Sequence, residues 1–191
     1  MATQTIPRIT EDEYLRLERA AEEKSEFIGE EIFVMPSRSL RHSRIIGNTT
    51  MHLGFSLRNT AFSLFPDTRV RTPVSGSFVY PDISIVSGNP VTYKGGPDNL
   101  INPAVIIEVL SASTADYDHG KKFELYREIP TFADYILVHT ESALVEHFAR
   151  QPEASWLFRE HRGLESELTI PSLNCTIKVA EVYAGVFEIP E

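Results

Sequence analysis

The stretch PAVIIEVLSASTADYDHGKKFELY, residues 103–126, decides how the rest of the chain is read. Its first part, residues 104–110, is a β-branched apolar run and reads as a strand. Its second part reads as a helix that starts near Thr114 or Asp116 and is stopped by Pro130. Glu108 lies inside the strand, with three apolar residues before it and two after. A carboxylate placed there is partly desolvated. Left unpaired it costs several kcal/mol, roughly, or takes up a proton. One reading is a salt bridge to a buried Arg or Lys. The other is that Glu108 is half of a pair.

The partner lies upstream, in VYPDISIV, residues 79–86. Asp82 follows Pro81, and strand alternation puts Asp82, Ser84 and Val86 on one face and Ile83 and Ile85 on the other. Alone, Asp82 reads as an acid at a sheet rim bonded to backbone. With Glu108 on a neighbouring strand, two carboxylates aim at one point and repel, and a divalent cation resolves the repulsion. Mg²⁺ takes one or two carboxylates and fills its other positions with water and phosphate oxygens.

The helix adds a third element. Asp118, Lys122 and Tyr126 are spaced four apart and share a face. On an isolated helix, Asp118 and Lys122 would be a surface ion pair worth about 0.3–0.5 kcal/mol. Directly after the Glu108 strand, Lys122 can instead reach the carboxylates. There it could stabilise a phosphate transition state or orient an attacking water.

Outward from this centre, residues 10–24 read as a first helix with Thr10 as N-cap and Glu13 in the capping-box position. A hairpin turns at Gly29, and helical periodicity returns over residues 37–60. Strands are expected over 63–74 and 78–87, then a Gly/Pro/Asn-rich loop over 88–103. Three more strands are expected within 131–140, 142–150 and 154–161, and a short helix over 179–186 closes the chain. The expected fold class is mixed α/β, or α+β: a central mixed sheet flanked by helices, after an N-terminal helix, hairpin and helix. At 191 residues, one domain over 1–191 is expected.

The chain is 24% charged and carries a formal net charge of −9, which argues against holding nucleic acid by bulk charge. The charge is unevenly spread: residues 38–71 hold six arginines and one acid, Asp67, between acidic flanks. That segment is either a solvated helix face or a local phosphate-binding surface. Arg38, Arg41, His42 and Arg44 are its candidate phosphate contacts. His42 could equally cap the helix. Glu26, in the acidic hairpin, carries no signal by itself. Cys175 is the single cysteine, so no disulfide framework or thiolate zinc cluster exists. No apolar run is long enough to span a membrane, and the N-terminus lacks a signal pattern, so a cytoplasmic setting is expected. No G-x-S-x-G or H-E-x-x-H occurs, and the six histidines show no metal-ligand spacing.

Pro81-Asp82, then Glu108-Val109-Leu110, then Lys122 resembles the PD-(D/E)xK nuclease superfamily, with the restriction-endonuclease-like fold. The segments SEFIGEEIFVMP, RHSRIIGN, YPDISIV, NPAVIIEVLSASTADYDHGKKFELY and ADYILV resemble one branch of it, the Uma-two family. The resemblance implies a DNA endonuclease in which acids hold Mg²⁺ or Mn²⁺ and water attacks the phosphodiester. It implies Asp82 and Glu108 as catalytic metal ligands, the Val109 main-chain carbonyl completing the metal site, and Glu26 as an outer ligand. Lys122 is implied as the lysine that assists the water. It also implies DNA as partner and a homodimer. Two positions depart from the pattern: Leu110 occupies the usual lysine slot, and His139 stands where the family often has aspartate. Leu110 leaves a second function class open, a non-catalytic nucleic-acid-binding or scaffold protein on a nuclease fold. The distance from the Lys122 ammonium to Glu108 discriminates the two.

Overall fold

A computed structural model describes residues 9–111 and 114–190. The chain order is α1 (Glu11–Glu18), β1 (Ser25–Ile28), β2 (Glu31–Val34), α2 (Leu40–Ser56), β3 (Phe62–Pro66), β4 (Val70–Arg71), β5 (Phe78–Val79), β6 (Ile83–Ser87) and β7 (Pro103–Leu110). A helical segment follows in three pieces: α3 (Ala115–Tyr117), a π turn (Asp118–Lys122) and α4 (Phe123–Tyr126). Then come β8 (Asp134–His139), β9 (Leu144–Arg150), β10 (Trp156–Arg162), β11 (Glu167–Ile170), β12 (Cys175–Lys178) and α5 (Val179–Val182).

Six strands form the central sheet in the order β10-β9-β8-β7-β6-β3. Only β7 and β8 are parallel within it. That crossover needs a connection long enough to return the chain, and α3, the π turn and α4 supply it. A smaller sheet, β2-β1-β5-β4, lies at the N-terminal side, and β11 pairs with β12 separately. The fold is therefore a mixed α+β arrangement with helices flanking a mixed sheet.

β7 is buried along its whole length, as its continuous apolar run requires. Val105, Ile107 and Val109 pack with Ile45 and Leu53 of α2, with Ile83 and Ile85, and with Val179 and Val182 of α5. Ile106 and Leu110 face the other way and join Leu125, Tyr126, Phe132 and Tyr135. Each such aliphatic side chain contributes about 1.5–3 kcal/mol on burial. A third cluster, Tyr14, Leu15, Phe27 and Phe78, joins α1 to the small sheet.

The sequence reading places most of these elements. Thr10 caps α1 by accepting from the Glu13 amide at 3.3 Å. The run over 63–74 resolves into β3 and the two-residue β4, with Asp67 at positive φ between them. The β11–β12 pair lies in a region to which no element was assigned. Its strands are four residues each, and Asn174 in the left-handed conformation ends the turn between them.

Candidate active site

β6 and β7 are antiparallel with Ile83 opposite Ile107, and continuing that register by one residue sets Asp82 opposite Glu108. Ile83 and Ile107 face the α2 side, so Asp82 and Glu108 project toward α3 and α4. The pair is locked reciprocally. The Val109 amide donates to Asp82 Oδ2 at 2.8 Å, and the Asp82 amide donates to Glu108 Oε2 at 3.2 Å. Glu108 is 2% exposed, and its other oxygen accepts from Tyr126 Oη at 2.6 Å and from Lys122 Nζ at 3.1 Å.

Lys122 comes from the π turn and is 6% exposed. Its ammonium also lies 3.4 Å from Glu26 Oε1 and 3.4 Å from Asp118 Oδ1. π turns recur at functional sites because the extra residue re-aims the side chains around it. Here Asp118, Lys122 and Tyr126 all reach the Glu108 side. Lys121, which also lines the cleft, pairs with Glu124 at 3.1 Å and has half its side chain exposed.

Glu26 is carried in by β1. It accepts from the Tyr80 amide at 3.0 Å and from Tyr117 Oη at 2.7 Å. Tyr80 to Asp82 is the short crossing from β5 in the small sheet to β6 in the large one. Pro81 has no amide hydrogen, so this crossing leaves no donor unpaired there. Nothing in the sequence marked Glu26 apart from the resemblance. Its signal is spatial, set by the β1–β5 pairing through Phe27 and Phe78.

His42 and Arg38 face the carboxylates from the start of α2. Ser39 caps that helix by accepting from the His42 amide at 3.2 Å. This puts His42 in the first turn, with Nε2 3.3 Å from Asp82 Oδ2. Arg38 Nη2 bridges Asp67 Oδ1 at 2.8 Å and Asp82 Oδ1 at 3.1 Å. Arg41 and Arg44 go elsewhere: Arg41 donates to the Ile189 carbonyl at 2.9 Å and Arg44 to the Ala184 carbonyl at 3.3 Å. Those two arginines fasten α2 to the C-terminal segment.

A cleft of about 780 Å³ opens over this cluster. Its floor is Glu26, Asp82, Glu108, Asp118 and Lys122, and its outer wall is the apolar run from Phe33 to Pro36. Four buried carboxylates, Glu26, Asp82, Glu108 and Asp118, are met by two cations, Lys122 and Arg38. Burial pushes the Glu108 carboxyl up to about 8, reinforced by Asp118 and Asp82 and opposed by Lys122. Burial likewise raises Asp118, against the pull of Lys122. Burial acts to raise Asp82 too, but the His42 hydrogen bond, the Val109 amide and Arg38 hold it below the ordinary aspartate value. For Lys122, desolvation acts downward and is overcome by Glu108, Glu26, Asp118 and Asp82, which keep it firmly an ammonium.

Chain spacing did not reveal a second grouping. His119, His139 and Glu146 come together on the far side of the π turn, although no histidine pair has metal-ligand spacing. The three come from three separate elements, so only the fold unites them.

Comparison with known proteins agrees in direction. The sequence model of the Uma2 family, described as "Putative restriction endonuclease", matches residues 11–180. Two uncharacterized proteins of Synechocystis sp. are similar over nearly their whole lengths. The one designated sll1609 is 33% identical over 169 residues, 88% of this chain and 96% of the relative. The one designated slr1290 is 26% identical over 182 residues, 95% of this chain and 94% of the relative. Among solved structures, "a putative nuclease belonging to DUF820" from Anabaena variabilis superposes with a TM-score of 0.75. It covers 93% of this chain and 99% of that one. At 19% identity, that likeness speaks to the fold.

Proposed function

The chain belongs to the Uma2 family of restriction-endonuclease-like proteins, and from that premise we propose that it is a metal-dependent endonuclease hydrolysing phosphodiester bonds in DNA. The observation that carries the reading is the buried Asp82–Glu108 pair with the Lys122 ammonium 3.1 Å from Glu108. That distance supports the enzymatic reading over a non-catalytic scaffold, for which the acidic total charge and Leu110 in the usual lysine slot speak. The ammonium is delivered from the next helix instead.

The donor set suits Mg²⁺ or Mn²⁺. Hard carboxylate oxygens line the floor, and with all four ionised they outnumber Lys122 and Arg38 by two charges, which a divalent cation balances. Asp82, Glu108 and the Val109 main-chain carbonyl would hold the cation, with Glu26 supporting the outer shell. When bound, such a cation polarises the phosphodiester and makes a water nucleophilic near neutral pH. The chain's own residues do the rest. Lys122, kept protonated by its carboxylates, donates to the attacking water or to the oxygens on which charge develops. Tyr126 and the Asp82 amide hold the Glu108 carboxylate in one rotamer. Arg38 and His42, which line the cleft, would turn to phosphate oxygens. The partner is DNA, and a homodimer is the simplest assembly for cutting two strands.

The test is cleavage of supercoiled plasmid by purified protein with Mg²⁺ or Mn²⁺, beside EDTA and Asp82→Ala controls. Cutting that needs the cation and vanishes in Asp82→Ala is the expected result. Cutting that survives the substitution removes the assignment.

A further inference from the structure

His119, His139 and Glu146 have no part in the chemistry proposed above, yet they are assembled with some care. His139 ends β8 and Glu146 lies on β9. Leu137 stands opposite Glu146 in that antiparallel pair, so strand alternation puts His139 and Glu146 on one sheet face. The same face is covered by the 115–126 helical segment, from which His119 descends. His119 Nε2 is 2.9 Å from Glu146 Oε2, and His139 Nε2 is 2.7 Å from Glu146 Oε1. One ligand atom from each of the three residues falls within 4.8 Å of the other two.

From this convergence we propose a second cation site, separate from the carboxylate cleft: His119 Nε2, His139 Nε2 and a Glu146 oxygen bind a zinc-type divalent ion. Two imidazoles and one carboxylate suit Zn²⁺ and its neighbours Co²⁺ and Ni²⁺, whereas the carboxylate floor of the cleft suits Mg²⁺. Ligand pairs on a tetrahedral ion with bonds of about 2.0–2.1 Å stand roughly 3.3 Å apart. The 2.9 and 2.7 Å contacts reach the two different Glu146 oxygens, and with one ligand atom per residue all three lie within 4.8 Å, so small side-chain rotations bring them to that spacing.

A supporting contact sits where metal-binding histidines usually have one. His119 Nδ1 is 2.8 Å from the Ala115 carbonyl, one helical turn back. Donation through Nδ1 fixes the ring and leaves Nε2 as the outward ligand atom. Without an ion, both Nε2 atoms must carry protons to bond the one carboxylate, so a cation at the centre replaces those protons. His119 and His139 keep about a third of their side-chain surface in contact with solvent, while Glu146 is largely buried. The fourth position is therefore open to water, as in three-ligand zinc sites. The ion would tie the π turn to β8 and β9. Asp118 and Lys122 lie on that turn, so their positions over Glu108 would stiffen with it.

The experiment is titration of the chelator-treated full chain with Co²⁺, followed by visible absorption, with Zn²⁺ thermal shifts alongside. One equivalent with the strong bands of a four-coordinate ion is expected. Those bands should persist in Asp82→Ala and disappear in the His119→Ala, His139→Ala double variant, which also loses the Zn²⁺-induced rise in Tm. Should the double variant not fold, His119→Ala alone, a change at a partly exposed helical position, must weaken binding at least about tenfold. Absence of saturable binding in the wild type overturns the proposal. So does a spectrum abolished by Asp82→Ala but untouched by the histidine changes.

Discussion

Lys122 has three carboxylates within 3.4 Å and almost no contact with water. Removing its charge leaves Glu26, Glu108 and Asp118 facing one another in a desolvated space. Lys122→Met should therefore cost about 3–5 kcal/mol in chelated protein, as broken buried ion pairs do. Urea melts with EDTA measure the loss, and Mg²⁺ should return part of it by supplying the missing positive charge. Glu108 makes a pH prediction. Its carboxyl is held near 8 rather than at its ordinary 4.5, so the native state binds a proton that the unfolded state has released. The stability it contributes is complete below about pH 4.5 and drains away as pH rises to about 8. A cation competes with that proton, so each pH unit below about 8 should weaken Mg²⁺ binding roughly tenfold. Thermal melts at about pH 6 and pH 8.5, with and without Mg²⁺, should show the larger metal-induced rise at the higher pH.

At the scale of elements, the π turn is where sequence and structure part most usefully. The four-residue spacing of Asp118, Lys122 and Tyr126 reads as an ordinary helical face, and the shared face does form. The widened turn within it has no signature in the sequence. Gly120 sits in the turn, and a Cβ there would meet nothing within 4 Å. Gly120→Ala should therefore stabilise the protein by about 0.5–1 kcal/mol, seen as a higher Tm. A fall in Tm would mean that the turn needs glycine's backbone freedom. Glu108 is legible because a carboxylate inside an apolar strand contradicts its own surroundings, and Asp82, a rim acid just before β6, gains meaning only beside it. Glu26 and Glu146 are not legible, since an acid among acids, or in a half-polar strand such as LVEHFAR, contradicts nothing. The β11–β12 pair escaped because two four-residue strands give too few alternations to read.

Taken whole, the molecule is acidic, with a formal net charge of −9, and Arg38 lines its carboxylate cleft. Of the four basic residues flagged near the start of α2, Arg38 and His42 line the cleft, while Arg41 and Arg44 hold the C-terminal segment. The linear charge pattern could not divide them, because membership of one helix says nothing about which neighbour each side meets. Besides the buried Lys122, the basic side chains lining the cleft are Arg38, His42 and Lys121. The logarithm of DNA affinity should fall against the logarithm of salt with a slope no steeper than about −3. Arg38→Ala should lower that slope by about one. Anisotropy titrations with Ca²⁺ in place of Mg²⁺ measure both.

The crossing from β5 through Tyr80 to β6 has a consequence for the order in which the site is made. Lys122 meets Glu108 across 14 positions of chain, whereas Glu26 must close 54 positions to reach the Tyr80 amide. The short loop closes at less entropic cost than the long one. During folding, the lysine should therefore find its carboxylate before the outer acid closes on the Tyr80 amide. A cation that needs the completed cage then has little to hold in the transition state, and its effect falls on how slowly the protein opens rather than on how fast it closes.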